Sequence, residues 1–103
     1  MIKASFSRRG GAYSGFRVCG HSGYATAGDD IVCAAVSAMT MLTVNLLTEA
    51  FGLDCELKVD EESADIALSL KQQSDVGDKI ISTLKQELVC LAEEYPQNIL
   101  VKE

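Results

Sequence analysis

The sequence has little of several residue types, and each shortage disfavours a class of protein. It contains no tryptophan, one proline and one histidine among 103 residues, and aromatic residues make up only 6%. Because 48% of the residues are apolar and proline is rare, disordered and fibrous proteins are disfavoured. The length fits one small domain, residues 1–103, with a single hydrophobic core. Any active site must therefore lie at the rim of that core or between copies of the chain.

Motifs for metals and nucleotides are also missing. The four cysteines form no CxxC pair, which argues against a thioredoxin motif and a zinc ribbon. Neither GxGxxG nor GxxxxGK followed by Ser or Thr occurs, so the sequence has no dinucleotide fingerprint and no phosphate loop. We therefore expect no metal and no cofactor.

Positive charge is scarce outside the start of the chain. The net charge is -6, which disfavours direct nucleic-acid binding. Residues 1–28 contain no acidic residue, and Arg8 and Arg9 there form either a small cationic patch or, more simply, a solvated turn. No secretory signal pattern opens the sequence, so we expect a cytoplasmic location in which disulfides are rare.

Alternation of apolar and polar residues predicts two hairpins. Residues 2–7 and 13–19 read as strands joined by a turn at Gly10 and Gly11. Residues 55–60 and 64–70 repeat the pattern on either side of a short acidic link. The segment 98–102 predicts a short final strand.

Two helices are predicted between and after the hairpins. Residues 30–51 are almost continuously apolar and end before Gly52, a favourable helix C-cap. Their hydroxyl and amide groups favour a buried helix over a membrane span, and a second subunit would cover its remaining apolar side. A second helix begins after Ser74 and stops at Pro96, with a predicted core stripe of Val76, Ile80, Leu84, Leu88, Leu91 and Tyr95. The order predicts a two-layer α+β fold, ββαββα, with a mainly antiparallel sheet and both helices on one face.

The only histidine and one cysteine lie close together in residues 20–37, GHSGYATAGDDIVCAAVS. Cys33 is predicted in the first turn of the long helix, where the unpaired amides favour a thiolate and Asp29 and Asp30 oppose it. His21 could take the thiol proton and return it to a leaving amine, while first-turn amides hold an oxyanion. Asp30 either orients His21 or only caps the helix. The competing interpretation is an inert buried thiol beside a solvated histidine.

This stretch resembles the signature of the ribosomal-processing cysteine protease family of bacteria, and the similarity extends over essentially the whole chain. His21 and Cys33 fall on the family's histidine and cysteine, and Asp30 and Ser37 fall on its other motif positions. The resemblance implies a homodimeric cysteine endopeptidase that removes the N-terminal extension of a large-subunit ribosomal protein, cutting after an aromatic pair. The expected substrate loop comprises Gly20, Ser22, Gly23, Tyr24 and Gly28.

Two other functions remain open at this point. The chain could be a non-catalytic dimeric module that holds the ribosomal protein's tail during ribosome assembly. It could also be a thiol sensor, in which Cys33 is oxidised and Cys19 resolves the product. The presence of both His21 and Cys33 favours the peptidase, because binding alone requires neither a nucleophile nor a base. None of the three functions calls for a membrane partner.

Overall fold

A computed structural model describes residues 1–20 and 31–103 of the chain. This part contains five strands and two helices, in the order β1 (Ile2–Arg9), β2 (Ala12–Cys19), α1 (Ile31–Asn45), β3 (Cys55–Asp60), β4 (Asp65–Leu70), α2 (Asp75–Glu94) and β5 (Ile99–Lys102). The strands form one sheet in the order β3-β4-β2-β1-β5. The α+β class is confirmed, and the fifth strand, which pairs parallel to β1, makes the sheet mixed.

The first hairpin forms as the glycine pair predicts. Gly10 and Gly11 adopt φ values of 61° and 84°, which suit a two-residue turn that pairs Arg9 with Ala12. One irregularity in the register lies between Ser7 and Arg8. The hairpin places β1 and β2 side by side at the middle of the sheet.

The sheet has one buried face and one open face. Ala4, Phe6, Phe16, Val18 and Leu68 occupy paired positions on neighbouring strands and are buried in a single core that includes residues of both helices. Residues at alternate positions point to the other face, which is largely hydrophilic. Both helices therefore cover the same face of the sheet, as predicted.

Helix α1 buries one stripe of its surface and changes its hydrogen bonding at its end. A π-helical segment, Leu46–Ala50, continues it directly. There the Thr48 hydroxyl donates to the Val44 carbonyl oxygen at 2.8 Å, and the Phe51 N–H donates to Leu46 O at 3.0 Å. Gly52, at φ 61°, then ends the helix as predicted.

The stretch 31–50 meets the length and composition of a membrane span, criteria that the core helix of a soluble protein also meets. Its buried stripe, however, contributes Val32, Val36, Val44 and Leu47 to the same core as the strand residues. Packing against a sheet is the behaviour of a core helix. We conclude that α1 is the central helix of the α+β domain.

Helix α2 starts with the predicted cap, since the Ser74 hydroxyl accepts a hydrogen bond from the Gly77 N–H at 3.0 Å. Its buried face differs from the predicted stripe at the first turns. Val76 is 39% exposed, whereas Ile81 is fully buried. The reason is the close approach at Gly77, where an added Cβ would lie 2.6 Å from Leu70 Cδ1. That contact sets which face of α2 meets the sheet.

Thr40 supplies a test of how the core is built. Its side chain is 1% exposed, and its hydroxyl is the one buried side-chain polar atom without a partner in residues 1–20 and 31–103. We expect Thr40→Val to raise the free energy of unfolding by about 1 kcal/mol, because an unsatisfied buried hydroxyl is unfavourable. Urea denaturation measures the change.

The matched control is Thr43→Val, one turn further along α1. The Thr43 hydroxyl is satisfied, because it donates to Met39 O at 2.8 Å. Its replacement should therefore be neutral or destabilising. Equal stabilisation by both substitutions would show that the greater hydrophobicity of valine, rather than the unpaired hydroxyl, governs the effect.

Candidate active site

The structure places Cys33 as predicted, as the third residue of α1. Its side chain is half-buried and packs against the core. Backbone N–H groups in the first turn of a helix have no partner within the helix, so amides lie next to this thiol. Ser37 lies one turn further on and is exposed. The remaining predicted site residues lie outside the described residues: His21, Ser22, Gly23, Tyr24, Gly28 and Asp30.

The topology brings the start of α1 to one end of the sheet. Strands β2 and β3 run parallel, because each is antiparallel to β4 between them. Helix α1 connects them across β4, so it begins near the end of β2 and finishes near the start of β3. Asp60 and Asp65 pair with each other at the end of the sheet where β2 finishes. We call this end, with Gly20 and the first turn of α1, the site end.

Gly20, the first residue of the predicted substrate loop, is held tightly at the site end. Its N–H donates to Ala64 O at 3.1 Å. Its φ is 95°, and a Cβ at this position would lie 2.6 Å from the Met1 carbonyl oxygen. Only glycine fits both the backbone conformation and the space. The segment that leads to His21 therefore starts from a fixed point.

A salt bridge lies on the open face of the sheet at the same end. The Arg17 guanidinium donates to both carboxylate oxygens of Asp65, at 3.0 and 2.6 Å. These hydrogen bonds and the positive charge lower the pKa of the Asp65 carboxyl. Cys19, next on this face, is paired with Asp65 across the strands. The open face at the site end is thus polar and charged.

The four cysteines occupy different environments, and each is a thiol. Cys19 belongs to the open face of the sheet, whereas Cys33 lies in the helix layer on the other face. Burial, followed by the nearby Asp54 carboxylate, raises the pKa of the Cys55 thiol. Cys90 is exposed on α2. The placement of Cys19 and Cys33 on opposite sides of the sheet weakens the thiol-sensor hypothesis.

Two hollows in the described surface lie away from this thiol. A groove of about 290 Å³ runs between the far half of α1 and α2, and it includes Met39, Leu42 and Ile80. A smaller hollow of about 200 Å³ lies on the open face near Ser5 and Ser69. Met39 follows Cys33 by six residues, about 9 Å along the helix axis. The larger groove is therefore not beside the nucleophile candidate.

The described residues hold no group of three or more His, Cys, Asp or Glu side chains that could bind a metal ion. The Cys33 thiol and the first-turn amides of α1 lie together at the site end.

Comparison with known proteins decides the family. The model of the cysteine protease Prp family matches residues 1–100. The chain belongs to the cysteine protease Prp family. It is accordingly a cysteine protease. The search of curated proteins found no significant match to the chain.

Solved structures share the fold of this Prp family member over its whole length. The essential ribosomal processing protease Prp from S. aureus, in complex with a covalently linked product peptide, matches with a TM-score of 0.91 and 24% identity over 100% of both chains. The same protease with a substrate peptide gives a TM-score of 0.86. SMU.848 from Streptococcus mutans is 30% identical over 99% of this chain and 92% of its own, with a TM-score of 0.85.

Sequence reasoning missed one feature of the Prp fold at the site end. The acidic β3–β4 turn, which contains Glu61 and Glu62, adjoins Gly20 through the Ala64 carbonyl. Only the pairing of β2 with β4 brings the turn there. Local sequence patterns carry no signal for that pairing.

Proposed function

We propose that this chain is a cysteine endopeptidase that removes the N-terminal extension of a large-subunit ribosomal protein. The observation that carries the proposal is the match of the cysteine protease Prp family to residues 1–100. The S. aureus relative supports the substrate class, since it is a ribosomal processing protease bound to substrate and product peptides. A cytoplasmic location agrees with a ribosomal substrate.

We propose Cys33 as the nucleophile. The other three thiols support this choice by contrast: Cys19 faces the open side, Cys55 has a raised pKa, and Cys90 lies near the C-terminal end of α2. Cys33 alone of the four lies in the first turn of a helix, where amides stabilise negative charge.

In the proposed mechanism His21 is the general base and acid. His21 accepts the proton of the Cys33 thiol, and Sγ attacks the scissile carbonyl carbon. The oxyanion of the tetrahedral intermediate accepts hydrogen bonds from amides in the first turn of α1. His21 then donates its proton to the leaving amine as the peptide bond breaks. Water hydrolyses the resulting thioester and regenerates the thiol.

We propose supporting roles for the neighbouring motif residues. Asp30 is available either to orient His21 or to cap α1, and the two roles are compatible with one carboxylate. Ser37 lies on the same side of α1 as Cys33, one turn away, and is exposed enough to meet a peptide. We also propose that the bound peptide orders residues 20–29 and so brings His21 to Cys33.

The test of the proposed function uses a synthetic peptide that spans the junction between the extension and the mature ribosomal protein of the same organism. We expect the purified chain to cut this peptide at one bond, as measured by mass spectrometry. A scrambled peptide of the same composition is the control. Tight binding with no cleavage would instead identify the non-catalytic assembly module.

We also propose that the chain forms a homodimer. Helix α1 carries exposed apolar side chains opposite its core stripe, among them Met41 at 42% and Leu42 at 62% exposure. Such a face favours a partner surface. Sedimentation equilibrium should give twice the 11.1 kDa chain mass, and Leu42→Glu should shift the equilibrium toward the monomer. The control is Gln72→Glu, which adds the same single negative charge at an exposed position outside α1 and removes no apolar surface.

A further inference from the structure

Within residues 1–20 and 31–103, β3 pairs only with β4, and the hydrogen-bonding groups of its outer edge can be assigned from the register. The Lys71 N–H donates to Asp54 O at 2.9 Å, so Asp54 and Lys71 form a hydrogen-bonded pair. In an antiparallel ladder such pairs alternate with pairs whose backbone groups point outward. The N–H and C=O groups of Cys55, Leu57 and Val59 therefore point away from β4, toward the open edge.

The side chains of the same three residues point to the helix side of the sheet. Leu57 pairs with Leu68, and Val59 pairs with Ile66, residues that face the helices. Yet Leu57 is 42% and Val59 is 53% exposed. The strand thus offers outward backbone groups and uncovered apolar side chains at the same positions.

This edge leads to the site end. Strand β3 finishes at Asp60, and the turn that follows reaches Ala64, whose carbonyl accepts the Gly20 N–H. The first turn of α1, with Cys33, lies on the side of the sheet to which Leu57 and Val59 point. A chain that runs beside β3 and passes Val59 therefore reaches the end of the sheet at which α1, with Cys33, begins.

We propose that the peptide substrate binds as a sixth strand along the outer edge of β3, with apolar residues at alternate positions against Leu57 and Val59. The inference rests on the proposed peptidase function and adds how the substrate is held. Main-chain pairing supplies affinity, and the apolar side chains supply selectivity for an extended segment with alternate apolar residues. The proposed scissile bond lies beyond the paired segment, toward the site end.

The dimensions of the edge favour a peptide over a second copy of the chain. Only three residues of β3 present outward backbone groups, which is enough to pair with a short extended peptide. A stable dimer interface is larger, because it buries about 800 Å² on each partner. The exposed face of α1, with Met41 and Leu42, is a second apolar surface. Pairing of β3 with β3 of another copy is therefore an outcome that the experiment must be able to detect.

The first test modifies the peptide and leaves the protein unchanged. A set of junction peptides carries one N-methylated amide each, which removes one N–H donor per peptide. Strand pairing predicts a loss of about tenfold in kcat/KM at every second position upstream of the cut bond, with little change between them. A smooth or irregular dependence on position would overturn the proposal. Binding of the same peptides to the Cys33→Ala protein, by fluorescence anisotropy, should show the same alternation.

The second test removes one donor from the edge of the protein. Leu57→Pro deletes an outward N–H and leaves the hydrogen bonds between β3 and β4 in place. Proline is tolerated in an edge strand at a position whose N–H points outward. We expect at least a tenfold lower kcat/KM than for Leu57→Ala, the control that removes only the side chain. Equal activity of the two variants would contradict strand addition. If Leu57→Pro does not fold, the N-methyl series decides alone.

The outcomes separate this inference from the function on which it rests. Cleavage without alternation would overturn strand addition and leave the peptidase intact. Binding with alternation but without cleavage would support strand addition and refute the peptidase. If Leu57→Pro lost dimerisation in sedimentation but kept peptide cleavage, the edge would be a contact between copies and the proposal would fail.

Discussion

Cys33→Ala is expected to reduce cleavage of the junction peptide by about 10³-fold or more, because no other described thiol has comparable surroundings. The substitution removes the proposed nucleophile and leaves the helix in place, since alanine is a good helix former. The Tm of Cys33→Ala should stay close to that of the unmodified protein. The measurement is kcat/KM by a fluorogenic version of the peptide, with stability followed by circular dichroism.

Two matched controls distinguish the nucleophile from the other thiols. Cys90→Ala removes an exposed thiol on α2, and Cys55→Ala removes the thiol whose pKa is raised by burial. Cys90→Ala should retain full activity per folded molecule, and Cys55→Ala should keep kcat, with any change confined to KM because Cys55 lies on the β3 edge. Persistence of cleavage in Cys33→Ala, with loss in either control, would assign the nucleophile elsewhere.

His21→Ala tests the second member of the proposed pair. Loss of a general base and acid is expected to lower kcat/KM by about 10² to 10⁴-fold while peptide binding persists. The two losses should not add in the double variant, because the residues act in one proton transfer. Additive losses would mean that His21 contributes to binding or folding, and that another group accepts the thiol proton.

Local features of the fold could be predicted because their causes are local. The alternation in β1 and the pair Gly10 and Gly11 specify a hairpin without reference to the rest of the chain. The caps at Ser74 and Gly52 likewise depend on a few neighbouring residues. In each case the relevant hydrogen bonds or backbone angles involve residues close in sequence.

Features that depend on pairing between distant segments could not be predicted from local sequence patterns. The alternation in β3 is as clear as that in β1, yet Leu57 and Val59 are exposed because β3 lies at the edge of the sheet. Alternation shows which side chains share a face but not whether anything covers that face. The parallel pairing of Ile2 with Ile99 spans nearly the whole chain, and only the assembled sheet shows it.

The candidate site also has one part that local sequence predicts and another that depends on distant contacts. Spacing and capping residues predicted Cys33 in the first turn of α1, and the structure confirms that placement. The roles of His21 and Asp30 remain predictions, because they depend on contacts between residues outside the described part. The tight fit at Gly20 could not be anticipated from the motif alone, since it results from the Met1 carbonyl and the β4 pairing.

Gly20→Ala is expected to lower the free energy of unfolding by about 2 to 3 kcal/mol. Part of this cost comes from the φ of 95°, which a residue with a Cβ adopts unfavourably. The rest comes from the Met1 carbonyl oxygen, which would lie 2.6 Å from the new Cβ and belongs to the backbone. For a domain of this size each kcal/mol corresponds to about 4 to 8 °C in Tm, so calorimetry resolves the change.

Gly11→Ala separates the two contributions. Gly11 has a comparable φ of 84°, but a Cβ there would meet nothing within 4 Å. This control should therefore cost only about 1 kcal/mol, the conformational part alone, and leave peptide cleavage unchanged. Gly20→Ala should lower kcat/KM more than its stability loss explains, because the shifted backbone carries His21. Equal losses of stability in both variants would mean that the carbonyl moves aside and that Gly20 is not the fixed start of the substrate loop.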